Sequence, residues 1–173
     1  MPVVPTFCGR GSKLALRATI QNQRLGGPFF ACDLDAMITY RLGNALDVDV
    51  VVELYRASTL GERRPVDDRD RMARMLREAN LVVTAWEGEQ MVGIARSLSD
   101  FTYVTYLSDL AVHVGWQRRG IGRELIRRTR ELAGAKATVI LLAAPAATEY
   151  YPRLGFTRHE QAWILGPGDQ LKT

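Results

Sequence analysis

One short stretch of the chain has the residue types and spacing to hold a phosphate group. Residues Val112-His113-Val114-Gly115-Trp116-Gln117-Arg118-Arg119-Gly120-Ile121-Gly122 close an apolar, strand-like run and open a basic amphipathic helix through a Gln-x-x-Gly-x-Gly turn. A helix start leaves backbone N–H groups without intrahelical partners, and the aligned peptide dipoles put partial positive charge behind them. Gly120 and Gly122 lack a Cβ, so a diphosphate can approach the main chain closely. An ordinary turn into a helix shares these traits, so the motif needs its context. A dinucleotide fingerprint wants Gly-x-Gly-x-x-Gly after the first strand; here the turn comes late and the third glycine is missing. A Walker loop needs Lys then Ser or Thr after its glycine, whereas Arg123 and Glu124 follow Gly122.

The rest of the chemistry-bearing inventory is sparse. Arg119, Arg123, Arg127 and Arg130 step round a helix whose other side is apolar. This is first a solvated face, with Arg118 and Arg119 placed to attract phosphate. It lacks the interleaved aromatics or recognised module of a nucleic-acid surface. His113, His159, Cys8 and Cys32 show no metal-ligand spacing, so no metal is expected.

Composition sets the frame. The chain has 173 residues, of which 47% are hydrophobic and 24% charged, with a formal net charge of +4. That fits one globular domain able to bury its own core, with a mild preference for anionic ligands. Two cysteines and no apolar run of membrane-spanning length point to a reducing, cytoplasmic setting without a disulfide. No apolar block followed by a cleavage site marks a signal peptide.

Residues 1–36 read as an N-terminal extension, irregular or partly helical, because prolines and glycines interrupt them and only 12–24 has helical spacing. Met37 is a candidate alternative start. From there to 173 the pattern is regular. It predicts a strand at 38–42, a helix over 48–57 capped by Asp47, and a second helix from Asp67 or Asp68 to about 79. A hairpin follows, 81–86 and 91–97, then a strand over 103–114 with a polar interruption at Ser108 and Asp109. Ile121, Leu125, Thr129 and Leu132 mark a helix ending at Gly134. A continuous apolar strand at 138–143 reads as buried on both faces. A short helix at 146–151 and a last strand at 156–165 complete the order β-α-α-β-β-β-α-β-α-β. Strand, long helix and strand in succession imply a right-handed parallel crossover, and the hairpin implies antiparallel pairing. The fold class is α/β (α+β), a mixed, mostly antiparallel twisted sheet with helices on both faces.

This order, the Gln117–Gly122 loop and the segment Tyr151-Pro152-Arg153-Leu154-Gly155-Phe156 together resemble the GCN5-related N-acetyltransferase (GNAT) superfamily over roughly residues 38–165. The loop fits the family's (Arg/Gln)-x-x-Gly-x-(Gly/Ala) pyrophosphate loop, and the second segment its Tyr-x-x-x-Gly-Phe stretch. The resemblance implies an N-acetyltransferase that moves acetyl from acetyl-CoA to a primary amine by direct attack in a ternary complex. Gln117, Arg118, Arg119, Gly120, Ile121, Gly122 and Arg123 would surround the pyrophosphate. Leu110, Ala111 and Val112 would offer main-chain groups to the pantetheine arm where the fourth and fifth strands splay, with a bulge near Asp109–Val112 as the expected cause. Tyr151 would protonate the departing thiolate. Pro152 disfavours helical geometry at Tyr151, which leaves Tyr150 as a substitute.

For a general base the reading ranks Asp109 first, then Glu53 and Asp100, and it takes His113 as structural. Asp109 is read equally well as a buried, satisfied carboxylate. The family's asparagine after the fifth strand is missing from Ala143-Ala144-Pro145-Ala146-Ala147-Thr148. The acceptor is a small-molecule or protein amine; neither nucleic acid nor membrane is expected, and a homodimer is compatible with the family. A non-catalytic CoA-binding sensor on the same fold is the alternative.

Overall fold

The structure is a computed structural model that describes residues 37–172; the readings made for 1–36, including the helix at 12–24 and the two cysteines, lie outside the described residues. Five strands form one sheet in sequence order: β1 Ile38–Leu42, β2 Leu81–Glu87, β3 Gln90–Ser99, β4 Val104–Val112 and β5 Thr138–Ile140. The first three pairings are antiparallel and β4–β5 is parallel. Three helices, α1 Val48–Arg56, α2 Arg69–Glu78 and α3 Ile121–Ala133, complete the architecture.

Each helix starts where its sequence directs. The Asp47 side chain accepts the Asp49 N–H at 2.9 Å and the Asp68 side chain accepts the Arg71 N–H at 3.0 Å, satisfying donors that the helix itself leaves open. Val51, Leu54 and Tyr55 of α1, with Met72 and Leu76 of α2, bury one apolar stripe against Val82, Ile94 and Ala111 of the sheet. Ile121, Leu125 and Ile126 of α3 bury theirs against Val83, Ala85, Val92 and Ala95 on the other side. Neighbouring strand residues thus enter opposite layers, as the two-residue period of a strand requires.

Two features set the exit of β4. Arg96 pairs with Asp109 but Ser97 pairs with Leu107, so Ser108 is one residue more than its partner strand supplies. The extra residue reverses the strand's phase. Leu107 belongs to the α3-side core, whereas Asp109 and Ala111 turn toward the α1 side and Leu110 toward α3. The β4–β5 pairing stops at the same place, running only from Val104–Thr138 to Tyr106–Ile140. A bulge bends and twists its strand, and β5 does not follow. Beyond Tyr106 the outer edge of β4 has no strand beside it among the described residues.

The C-terminal third departs from the sequence reading. The strand expected over 138–143 is three residues long, and its Ile140 is half exposed rather than buried on both faces. Two 3₁₀ turns, Pro145–Ala147 and Pro152–Leu154, replace the helix expected over 146–151. Each begins with a proline, which cannot donate to a preceding turn. No strand forms over 156–165, where Trp163 is 93% exposed. Strand propensity expresses fit to a pleated, half-buried surface, and among the described residues no ladder partner or covering layer meets this segment.

Close seating of α3 on the sheet depends on Gly93 of β3, where a Cβ would lie 3.1 Å from both Ile121 and Leu125. Gly93→Leu is therefore expected to cost about 1–3 kcal/mol through overpacking, read as a lower urea midpoint at unchanged slope.

Candidate cofactor and active site

The phosphate-loop residues lie between the end of β4 and α3 with their donors free. Val114–Trp116 forms a 3₁₀ turn, in which the His113 Nδ1 accepts the Gly115 N–H at 3.1 Å. The His113 ring also meets Trp116 edge to face at 4.5 Å, so the histidine shapes the loop. Gln117 closes the turn by donating its side-chain amide to the Val112 carbonyl at 3.1 Å. Arg118 and Gly120 take left-handed dihedrals, φ 61° and 83°, which turn successive N–H groups outward. Among the described residues, the N–H groups of 118–123 have no hydrogen-bond partner; the first helical bond is Glu124 N–H to the Gly120 carbonyl at 3.0 Å.

The arginines of this region divide into two sets. Glu124 holds Arg127 and Arg128, and Glu131 takes a second bond from Arg127. Those pairs draw the Glu124 carboxyl down to about 2. Arg118, Arg119 and Arg123 are exposed and carry no ion pair among the described residues. These three unpaired cations stand beside the free amides.

The main chain of β4 continues the same groove. His113 donates its N–H inward to the Val92 carbonyl at 2.9 Å. Antiparallel alternation then turns the main-chain groups of Val112 and Leu110 to the open side and those of Ala111 toward β3. Of the three residues expected along the pantetheine arm, Leu110 turns its N–H and carbonyl to the opening, Val112 its N–H alone because Gln117 holds its carbonyl, and Ala111 neither.

Tyr151 packs against the same core cluster as Leu110 and Val112. Its ring meets Tyr150 and Phe156 edge to face at 5.4 and 5.6 Å, and its hydroxyl has no hydrogen-bond partner among the described residues. Tyr151 keeps helical dihedrals, φ −69° and ψ −38°, despite the proline that follows it. Burial, helped by Tyr150, raises its phenol above the ordinary 10.0, with Arg63 opposing. Tyr150 has a different place. Its hydroxyl stands 2.8 Å from where a Cβ on Gly122 would be, over the start of α3.

The three carboxylates considered as a base come out differently from their ranking. Asp109 is fully enclosed: Arg64 Nε donates to Oδ1 at 2.5 Å, Tyr55 donates to Oδ2 at 2.8 Å, and Arg96 Nε donates to the same Oδ2. Arg64 also donates to the Ser108 carbonyl and Arg96 to the Ser108 hydroxyl, each at 2.8 Å. Both guanidiniums therefore grip the bulge itself. Burial, then the charge of Asp109, drives the Tyr55 phenol far above its ordinary value and fixes it as a donor. Both carboxylate oxygens of Asp109 are thus already held by donors of the fold itself. Asp100 accepts three N–H groups, from Thr102, Tyr103 and Val104, and ties the turn before β4. Glu53 is exposed, with no side-chain partner among the described residues.

The sequence reading missed Tyr55, Arg64 and Arg96. Arg96 did carry a signal, since it interrupts the apolar run Val92-Gly93-Ile94-Ala95 inside a strand, where a cation requires a buried partner. Tyr150's approach to Gly122 left no mark in the sequence.

Comparison with known proteins meets this geometry from outside. Residues 60–164, more than half of the chain, match the model of the acetyltransferase (GNAT) domain. The chain belongs to the GNAT acetyltransferase family. No curated protein matches it significantly. Among solved structures, this GNAT domain resembles a GNAT-family acetyltransferase from Streptococcus pneumoniae at 21% identity and TM-score 0.58, covering 75% of this chain and 98% of that one. An aminoglycoside acetyltransferase from an uncultured soil sample, solved with sisomicin, shares 23% identity at TM-score 0.59 over 81% of this chain and 100% of its own. An aminoglycoside N-acetyltransferase solved with CoA shares 17% identity at TM-score 0.61, over 77% and 96%. At these identities the likeness establishes the fold.

Removing the charge of Asp109 separates structural from catalytic use. Asp109→Asn is expected to cost about 3–5 kcal/mol, as breaking a buried ion pair does, with a lower urea midpoint before any assay is run. A catalytic base would instead lose turnover at unchanged stability.

Proposed function

We propose that this GNAT domain transfers acetyl from acetyl-CoA to a primary amine on a small molecule, by direct attack in a ternary complex. One observation carries the reading: the open edge of β4 runs straight into a row of unpaired backbone N–H groups at 118–123. An extended amide-bearing arm ending in a diphosphate is the ligand that both halves fit.

In this reading the amides of 118–123 hold the pyrophosphate, with Arg118, Arg119 and Arg123 adding charge and Gln117 fixing the turn. Leu110 and Val112 pair with the pantetheine arm. The thioester carbonyl then comes to lie against an outward N–H of β4, which polarises it and holds the tetrahedral oxyanion. The amine attacks as the free base, so its ammonium first gives a proton to solvent. Asp109, engaged by three donors, positions β4 rather than taking that proton. The new C–N bond forms, the nitrogen gives its second proton to solvent, the C–S bond breaks, and the thiolate takes the Tyr151 phenolic proton, which solvent then restores. Most of the gain comes from holding donor and acceptor together. No enzyme nucleophile is required.

Acetyl-CoA consumption read as thiol release, with CoA affinity by calorimetry, tests this reading. Tyr151→Phe should lower kcat about 10²-fold or more and leave CoA affinity within about twofold. A non-catalytic sensor would bind CoA, consume no acetyl-CoA and be indifferent to the substitution.

The pH profile gives an independent check. A general acid must be protonated, and burial raises Tyr151 above 10.0. The alkaline fall in kcat should therefore lie above pH 10 and vanish in Tyr151→Phe. A fall centred near neutrality would assign the acid to another group.

A further inference from the structure

On the α1/α2 side of the sheet, a cleft of about 370 Å³ lies between α2 and β3. Arg71, Arg74, Met75 and Glu78 line it from the helix, and Arg96 and Leu98 from the strand. Arg96 joins the cleft to the bulge of β4, because it also binds Asp109 and the Ser108 hydroxyl.

Charge pairing sets this cleft apart. The basic side chains of the surrounding surface are mostly neutralised: Arg56 by Asp67, Arg69 by Asp49, Arg77 by Glu78. Within the cleft, Glu78 is held by Arg77 and Arg96 by Asp109. Arg71 and Arg74, one helical turn apart and exposed, have no carboxylate partner among the described residues. Arg63, also exposed and without an ion pair among the described residues, adds positive potential toward Tyr151. Leu98 and Met75 supply apolar wall between the charges. Two adjacent free guanidiniums over an apolar floor suit a carboxylate or phosphate on a short aliphatic stem. They repel a polycation.

We infer that the acceptor is an anionic amine, whose carboxylate or phosphate docks on Arg71 and Arg74 while its amino group reaches the open edge of β4. This rests on the acetyl-transfer reading above and adds its substrate class. Arg71 and Arg74 are then specificity-determining residues, and the basic acceptors named for the solved aminoglycoside enzymes do not carry over.

Matched amines differing in charge test the inference. Thiol release is measured with amino acids against their carboxamides, with aminoalkyl phosphates against the parent amino alcohols, and with a linear polyamine. The acidic member of at least one pair should have about tenfold higher kcat/KM or more; which pair responds tells carboxylate from phosphate. In R71Q/R74Q that advantage should disappear through KM, with CoA affinity by calorimetry unchanged, while R130Q on α3 retains it. Preference for the neutral or polycationic amines, or an advantage that survives R71Q/R74Q, overturns the inference and leaves acetyl transfer standing. CoA binding without turnover of any amine overturns both.

Discussion

The open edge of β4 depends on one buried carboxylate. Asp109 is gripped by Arg64 and Arg96 and receives the Tyr55 hydroxyl, and both guanidiniums extend to Ser108. Burying these charges costs several kcal/mol for each ion, and only close, well-satisfied pairing offsets that cost. The network therefore gives more specificity than stability. It ties α1, the segment before α2, β3 and the bulge of β4 to one point. With Ser108 held out of register, β4 reverses phase and β5 parts from it, leaving main-chain groups for an extended ligand.

The loop that follows uses a different force. Here the positive end is made of backbone: left-handed dihedrals at Arg118 and Gly120 turn the amides outward before α3 begins. Gln117 braces the turn against the end of β4. In the acetyl-transfer reading proposed above, main-chain pairing at one end of the groove and free amides at the other would recognise a backbone-like arm and a diphosphate with little use of side chains.

Local rules made the first two-thirds legible. Aspartate caps before α1 and α2, apolar periodicity and the Glu87-Gly88-Glu89-Gln90 turn placed the first four strands and the three long helices. The bulge expected near Asp109–Val112 falls at Ser108, one residue before that range. What local pattern could not carry was pairing. Asp109 looked like a base because sequence shows a carboxylate without showing the two arginines that converge on it from distant segments. The segment 156–165 looked like a strand because its residues suit one, although a strand also needs a neighbour. In the fold Asp67, Asp49 and Glu78 pair with Arg56, Arg69 and Arg77, while Arg71 and Arg74 carry no ion pair among the described residues.

Amide hydrogen exchange, followed with and without CoA, tests the central claim most directly. If the β4 edge and the loop form one binding groove, saturating CoA should slow exchange at Leu110, Val112 and residues 118–123 together, while α2 stays unchanged. Unchanged exchange at those amides in the presence of bound CoA would contradict the account.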